Sequence, residues 1–135
     1  MKFVIHFHQD HHSEEDHYDF MVEPVDTTEL LFTWRIKKSD MPLLQSGSII
    51  TAFKIQDHRK KYLSYEGPIS CDRGRVEIFD SGKYETVQWE KDAIHITLIG
   101  KVLQGKIKLH KETSHHSEEK PESWEMRFQI KSPPY

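Results

Sequence analysis

Apolar and polar residues alternate along almost the whole chain. Phe3, Ile5 and Phe7 share one face of an extended segment, as do Leu30, Phe32, Trp34 and Ile36. Ile49, Thr51, Phe53 and Ile55 repeat the pattern, and so do Val76 with Ile78, Val87 with Trp89, and Ile94, Ile96 and Leu98. Ile107 with Leu109, then Trp124, Met126, Phe128 and Ile130, complete it. A period of two residues is that of a strand with one face buried. The runs are short and bounded by turn formers: Ser46-Gly47, Gly67-Pro68, Arg73-Gly74, Ser81-Gly82, Gly100 and Gly105. Many short strands at this spacing predict an all-β fold, an antiparallel sandwich or a small barrel. No long segment has helical periodicity. One or two short helical turns are expected, at Asp10–Asp16 and Asp40–Leu44. The polar stretch His110–Ser123 (HKETSHHSEEKPES) reads as an exposed, flexible hairpin loop, with His115 and His116 as solvated loop residues.

Length and composition narrow the class. At 135 residues the expectation is a single domain, 1–135, able to bury a core without staples. A lone cysteine, Cys71, excludes an internal disulfide and fits a reducing cytoplasm. No leader or membrane-spanning run is expected. The formal charge of -3 gives no global attraction to nucleic acid, so any phosphate contact must be local.

Histidine changes the picture. The chain has 10, and His6, His8, His11, His12 and His17 open it. In His17-Tyr18-Asp19-Phe20-Met21-Val22 the alternation puts His17 and Asp19 on one face. Such a pair is either a site or merely an oriented surface pair. With His11 and His58 in reach, a metal site of two imidazoles and one carboxylate becomes available. Taken as ligands, His11, Asp19 and His58 suit Mn, Zn or Fe(II) and leave positions for a substrate oxygen. His17 would stand beside the metal and give a proton or hydrogen bond to a phosphoryl oxygen. Tyr62, four residues after His58, would return to the same face on a continuing strand. Lys54, Arg59, Lys60 and Lys61 would add local positive charge, although such a run is more often a solvated face. His6 and His8 read as strand residues rather than ligands, and His95 as facing solvent.

The same residues resemble a known family, the 3′-phosphoesterase domain of DNA ligase D. HHSEEDHYDFMVE is similar to its signature H-D-A-x-R-L-H-Y-D-F-R-L-E. Phe32 to Lys38 resembles its S-W-A-V-P-K segment, and Gln56-Asp57-His58 with Tyr62 and Tyr65-Glu66-Gly67 resembles E-D-H-P-x-x-Y-x-x-F-E-G. Phe79 to Tyr84 resembles W-D-x-G-x-Y, Leu98 to Leu109 its glycine-containing hairpin, and Trp124 opens a similar closing strand. The resemblance implies a small β-barrel, usually Mn-dependent, that removes a 3′-phosphate or a 3′ ribonucleotide during end-joining repair. It implies His11, Asp19 and His58 as metal ligands. His17, Tyr62 and Lys38 would be the catalytic residues. The implied partners are DNA or RNA 3′ ends, with separate ligase, polymerase or end-binding repair proteins. The remaining expectation is a cytoplasmic monomer that holds Mn²⁺, or Zn²⁺ or another divalent ion in its place.

Departures from the family pattern fall on its phosphate-gripping side. Met21 and Ile50 stand where the family has arginine, Gln56 where it has an acid, and the loop after Glu66-Gly67 is shortened to Pro68–Gly74. Losing one arginine–phosphate contact costs on the order of a few kcal/mol. Arg35, Lys54, Arg73 and Arg75 are candidate substitutes. Two further readings therefore stand beside the enzyme. One is a non-catalytic, metal-holding module that binds nucleic-acid ends or a repair partner. The other is an Fe(II) oxygenase with a facial triad, in which His17 rather than His11 would be a ligand.

Overall fold

The computed structural model describes residues 1–9, 15–25, 29–112 and 121–131. Its strands are β1 (Lys2–Gln9), β2 (His17–Val22), β3 (Leu30–Lys37), β4 (Ile50–Arg59), β5 (Gly67–Pro68), β6 (Arg75–Trp89), β7 (Ala93–Gly100), β8 (Gln104–Lys111) and β9 (Glu122–Ile130). They pair antiparallel in the order β1-β2-β3-β4-β9-β8-β7-β6, and β1 also pairs with β6, which closes an eight-stranded barrel. Closure leaves no open edge among these strands. The short β5 adds to the outside of β6 at Gly67↔Val76.

One face of each strand fills the barrel. Phe3, Ile5, Phe20, Trp34, Ile36, Ile96, Ile107 and Met126 are all within the core. A 3₁₀ turn (Lys38–Asp40) leads into α1 (Met41–Gln45), where the first expected helical turn of the Asp40 region is found. Pro42 suits the start of that helix, where its missing N–H is not needed. Met41 and Leu44 insert into the same core. The other expected turn lies largely outside the described residues. Among the described residues no helix is long and apolar enough to cross a membrane.

The alternation misleads in three places. Ser81-Gly82 is not a turn: β6 runs unbroken for 15 residues through it. Gly82 is there because a Cβ would collide with the Ile99 carbonyl of β7, so its role is close approach. A bulge between Thr86 and Gln88 then turns Val87 outward, away from the face of Trp89. On β4 the inward set is Ile50 and Ala52, while Ile49 precedes the strand and is exposed. Both faces of β4 carry apolar residues, so the pattern alone selected the wrong parity. Finally, β8 extends to Lys111 and β9 starts at Glu122, which takes both ends of the expected loop into strands. Residues 113–120 lie outside the described part.

Candidate metal and phosphate site

The outer face of β1, β2 and β3 carries the histidine chemistry. Register places His6 opposite Asp19 and His8 opposite His17. Asp19 in turn stands opposite Arg35, and His17 opposite Lys37. Residues directly opposite in an antiparallel pair project to the same side. Six polar side chains therefore share one side of the sheet, and three are nearly inaccessible: His6, His17 and Asp19. His17 Nε2 lies 3.4 Å and His8 Nδ1 3.8 Å from the same Asp19 oxygen, Oδ2. One ligand atom from each of His8, His17 and Asp19 falls within 4.8 Å of the others.

Two elements roof the patch. At Leu31/Thr33 the β3–β4 ladder shifts register, and β4 continues past it to His58 and Arg59. A second 3₁₀ turn (Lys60–Leu63) follows and contacts β1. Tyr62 and Leu63 pack over Val4, Met21 and Leu31. Tyr62 makes edge contacts with both His6 and His58, at 6.2 and 5.7 Å between ring centroids. The expected neighbour was therefore right and the route was not, because a 3₁₀ turn rather than a continuing strand delivers it. The second roof is the shortened loop before β6. Its Cys71 and Asp72 adopt left-handed backbone, φ 63° and 56°, which is sparsely populated without glycine. That loop presents the Arg73 carbonyl to His8. The cavity so formed holds about 240 Å³ and is lined by His6, His8, Asp19, Asp57, His58 and Tyr62 among others.

Three histidines are oriented in the same manner. His8 Nε2–H donates to the Arg73 carbonyl (2.7 Å), His17 Nδ1–H to the Glu15 carbonyl (3.1 Å) and His58 Nδ1–H to the Gln56 carbonyl (2.8 Å). A carbonyl only accepts, so that nitrogen carries the proton in the neutral ring, and protonation of the ring adds one on the opposite nitrogen, which in His17 and His8 faces Asp19. Fixing one nitrogen on a backbone carbonyl is how proteins aim the other at a metal.

Electrostatics agree with that arrangement. Burial alone would raise the Asp19 carboxyl, yet the His17 and His8 rings close to Oδ2, together with the charge of His58, hold it well below the usual carboxylate range. Burial lowers His6 from 6.5 to about 4, only partly opposed by Asp19, so it is neutral at pH 7. Among the described residues Asp19 Oδ1, His6 Nε2 and His17 Nε2 are buried without a hydrogen-bond partner. Orphaned buried acceptors of this kind are expensive, and a divalent cation among them would satisfy them. The donor set thus fits a borderline metal ion.

The expected site residues divide. Asp19 and His58 line the cavity with Tyr62, and His17 adjoins Asp19. His11 lies outside the described residues. Lys38 is exposed on its 3₁₀ turn, with Nζ 5.8 Å from the Phe7 ring, and is not among the residues lining the cavity. His6 and His8 are strand residues as expected, yet they stand inside the site. The signal for them was available: the parity that puts Phe3 and Ile5 inward puts both histidines outward, beside the β2 pair.

The arginine question also resolves in part. Met21 is fully buried in the apolar floor with Val4 and Leu31. Ile50 faces the barrel core. Of the candidate substitutes, Arg73 lines the cavity but bonds Ser70 through Nε and Nη2. Lys54 pairs with Asp57 (2.9 Å). Arg75 is exposed on β6, and Arg35 sits across from Asp19.

A family model described as the DNA ligase D 3′-phosphoesterase domain matches residues 9–111. The multifunctional non-homologous end joining protein LigD of Mycobacterium bovis is 33% identical over 87 residues, covering 62% of this chain. The corresponding DNA repair protein LigD of Mycobacterium tuberculosis shows the same identity and coverage. The match takes in 11% of the length of each of these relatives.

Proposed function

The chain belongs to the family of DNA ligase D 3′-phosphoesterase domains, and from that premise we propose that it is a metal-dependent phosphoesterase acting on DNA or RNA 3′ termini. The reaction would remove a 3′-phosphate or a 3′ ribonucleotide in end joining. The observation that carries this reading is the convergence of His8, His17 and Asp19, with His58 and Tyr62 roofing the same cavity.

Asp19 and His58 would hold the ion together with His11, and His8 is placed to join them. Mn²⁺ is the first candidate, with Zn²⁺ or another divalent ion as substitutes. Such an ion would neutralise charge on the phosphoryl oxygens. The chain's own residues do the rest. The backbone carbonyls of Arg73, Glu15 and Gln56 fix the imidazoles. His17 would carry a second proton on Nε2 and hand it to a phosphoryl or leaving oxygen. Tyr62 would direct its hydroxyl at the same oxygens, and Lys38 would act from outside the cavity on the approaching strand. The protein would work in the cytoplasm as a monomer, with ligase, polymerase or end-binding activities as its partners.

The experiment is release of phosphate from a 3′-phosphate primer-template with Mn²⁺. The expected result is turnover that His17→Ala reduces roughly a hundredfold or more. Equal rates for the two proteins remove His17 from catalysis.

A second reading, the non-catalytic end-binding module, is favoured by Met21, which replaces a cation with an apolar floor. Normal binding of 3′ ends without turnover across several metals would support it. The oxygenase reading also finds its two-histidine, one-carboxylate set in His8, His17 and Asp19. Metal content separates it from the family ligand set: His11→Ala keeps the ion in the triad and loses it in the phosphoesterase.

A further inference from the structure

All three tryptophans of the chain, Trp34, Trp89 and Trp124, line one cavity, and it is not the histidine cavity. It holds about 410 Å³ between the starts of β3, β7 and β9 and the ends of β4 and β6. Phe32 and Trp89 are half-buried in its wall, 5.8 Å apart with rings inclined by 33°. Trp34 is fully buried, and among the described residues its indole Nε1–H has no hydrogen-bond partner. Trp124, by contrast, donates its indole N–H to Glu122 at 2.8 Å. A buried indole N–H without an acceptor is costly, and core tryptophans normally find one. Lys54 Nζ lies 5.0 Å from the Phe32 ring and 5.6 Å from the Trp34 ring.

From these observations we infer that this cavity is a nucleobase pocket, which takes the planar base next to the 3′ end under repair. A base offers what the cavity lacks: a flat π-face for Phe32 and Trp89 and an in-plane acceptor for the Trp34 N–H. The volume is large enough for one planar base. The placement is also suited to a strand end. Lys54 lines the aromatic cavity, its partner Asp57 lines the histidine cavity, and 2.9 Å separates their charged atoms. The two cavities therefore adjoin across a single ion pair, and a strand with its phosphate at Asp19 and His58 passes its base over that pair. The inference rests on the reading of this protein as one that acts on nucleic-acid ends.

Tryptophan fluorescence reads the pocket directly, because no tryptophan lies elsewhere. A single-stranded DNA oligonucleotide with a 3′-phosphate is expected to quench the emission. Phe32→Leu keeps all three tryptophans and is expected to weaken binding about tenfold. Lys54→Met serves as the second variant if Phe32→Leu does not fold, with a smaller loss expected in the same direction. Emission that saturating oligonucleotide leaves unchanged overturns the inference even where phosphate release is intact. Binding that a folded Phe32→Leu or Lys54→Met leaves at full strength overturns it too. Quenching without any phosphate release leaves the pocket standing and counts against the phosphoesterase reading instead. Equal affinity for free adenosine would assign the pocket to nucleosides and overturn the strand assignment.

Discussion

Among the described residues two aspartates are buried, Asp19 and Asp80, and they are treated in opposite ways. Asp80 of β6 is 2% exposed, and its two oxygens accept from the backbone N–H groups of Ser81, Lys101, Val102 and Leu103. Those bonds fasten the β7–β8 turn to β6, beside Gly100, whose missing side chain makes room for the carboxylate. Asp19 of β2 is 4% exposed, yet among the described residues Oδ1 has no hydrogen-bond partner, and Oδ2 lies within 4 Å of His17 and His8. A carboxylate saturated by backbone amides is structural, because its protein partners exhaust its lone pairs. One held by imidazoles with an oxygen to spare keeps capacity for a ligand, at a cost in stability.

The comparison makes opposite predictions for the two residues. Asp19→Ala is expected to lower phosphate release per molecule roughly a thousandfold or more, since the metal's several kcal/mol of charge stabilisation goes with it. Its metal-free stability should fall less than that of Asp80→Ala, because the imidazoles facing it can give up their protons when the charge is removed. Paired rate and denaturation measurements read both. A strongly destabilised Asp19→Ala that still turned over would erase the distinction. Asp80→Ala should do the reverse. Four backbone donors lose a charged acceptor, some regain water, and the loss is about 4 kcal/mol in a urea titration. Any folded fraction should keep its metal and its rate.

Met21→Arg sharpens the same contrast on the floor of the site. Burying a guanidinium among Val4, Leu31 and Leu63 is expected to cost about 3 kcal/mol. If the loss of arginine explains weak phosphate gripping, the folded variant should release phosphate about tenfold faster, as one charge-assisted contact allows. A destabilised variant without that gain would show that position 21 no longer communicates with the phosphate.

Several parts of this arrangement were legible in the sequence and others were not, for physical reasons. His17 and Asp19 share a face because strand parity is local, and the alternation from Tyr18 to Val22 reports it. The pairing of His8 with His17 is non-local. It depends on the β1–β2 register, which the side-chain period constrains but does not name. Gly82 looked like punctuation because glycine serves both turns and close approach, and only the Ile99 carbonyl decides between them. Tyr62 reached His58 by a turn that four residues of mixed Lys, Tyr and Leu do not announce. Lys38 was placed by resemblance alone, and the barrel leaves it over Phe7. The alternation places the tryptophans on strands, and Trp34 and Trp124 are in the core. That they wall a cavity with an unpaired indole N–H is a property of three strands and a turn together.

The smallest expected effect concerns His6, which lies opposite Asp19 and shares its burial but not its charge. Burial lowers this imidazole from 6.5 to about 4, so the unfolded chain binds more protons than the folded one between those values. Stability contributed by the neutral ring is therefore complete above about pH 6.5 and is lost as pH falls toward 4. Discounted for local relaxation, the loss amounts to about 2 kcal/mol across that window. Asp19 acts in a lower window: its carboxyl is held below the usual carboxylate range, so its contribution fades only as pH drops below 4. His6→Phe keeps the ring packed against Tyr62 and removes the titration. Metal-free urea midpoints should fall between pH 6.5 and 4 for the wild type and stay flatter for the variant. Identical slopes would mean that His6 reaches water through the cavity and is not sealed beneath Tyr62.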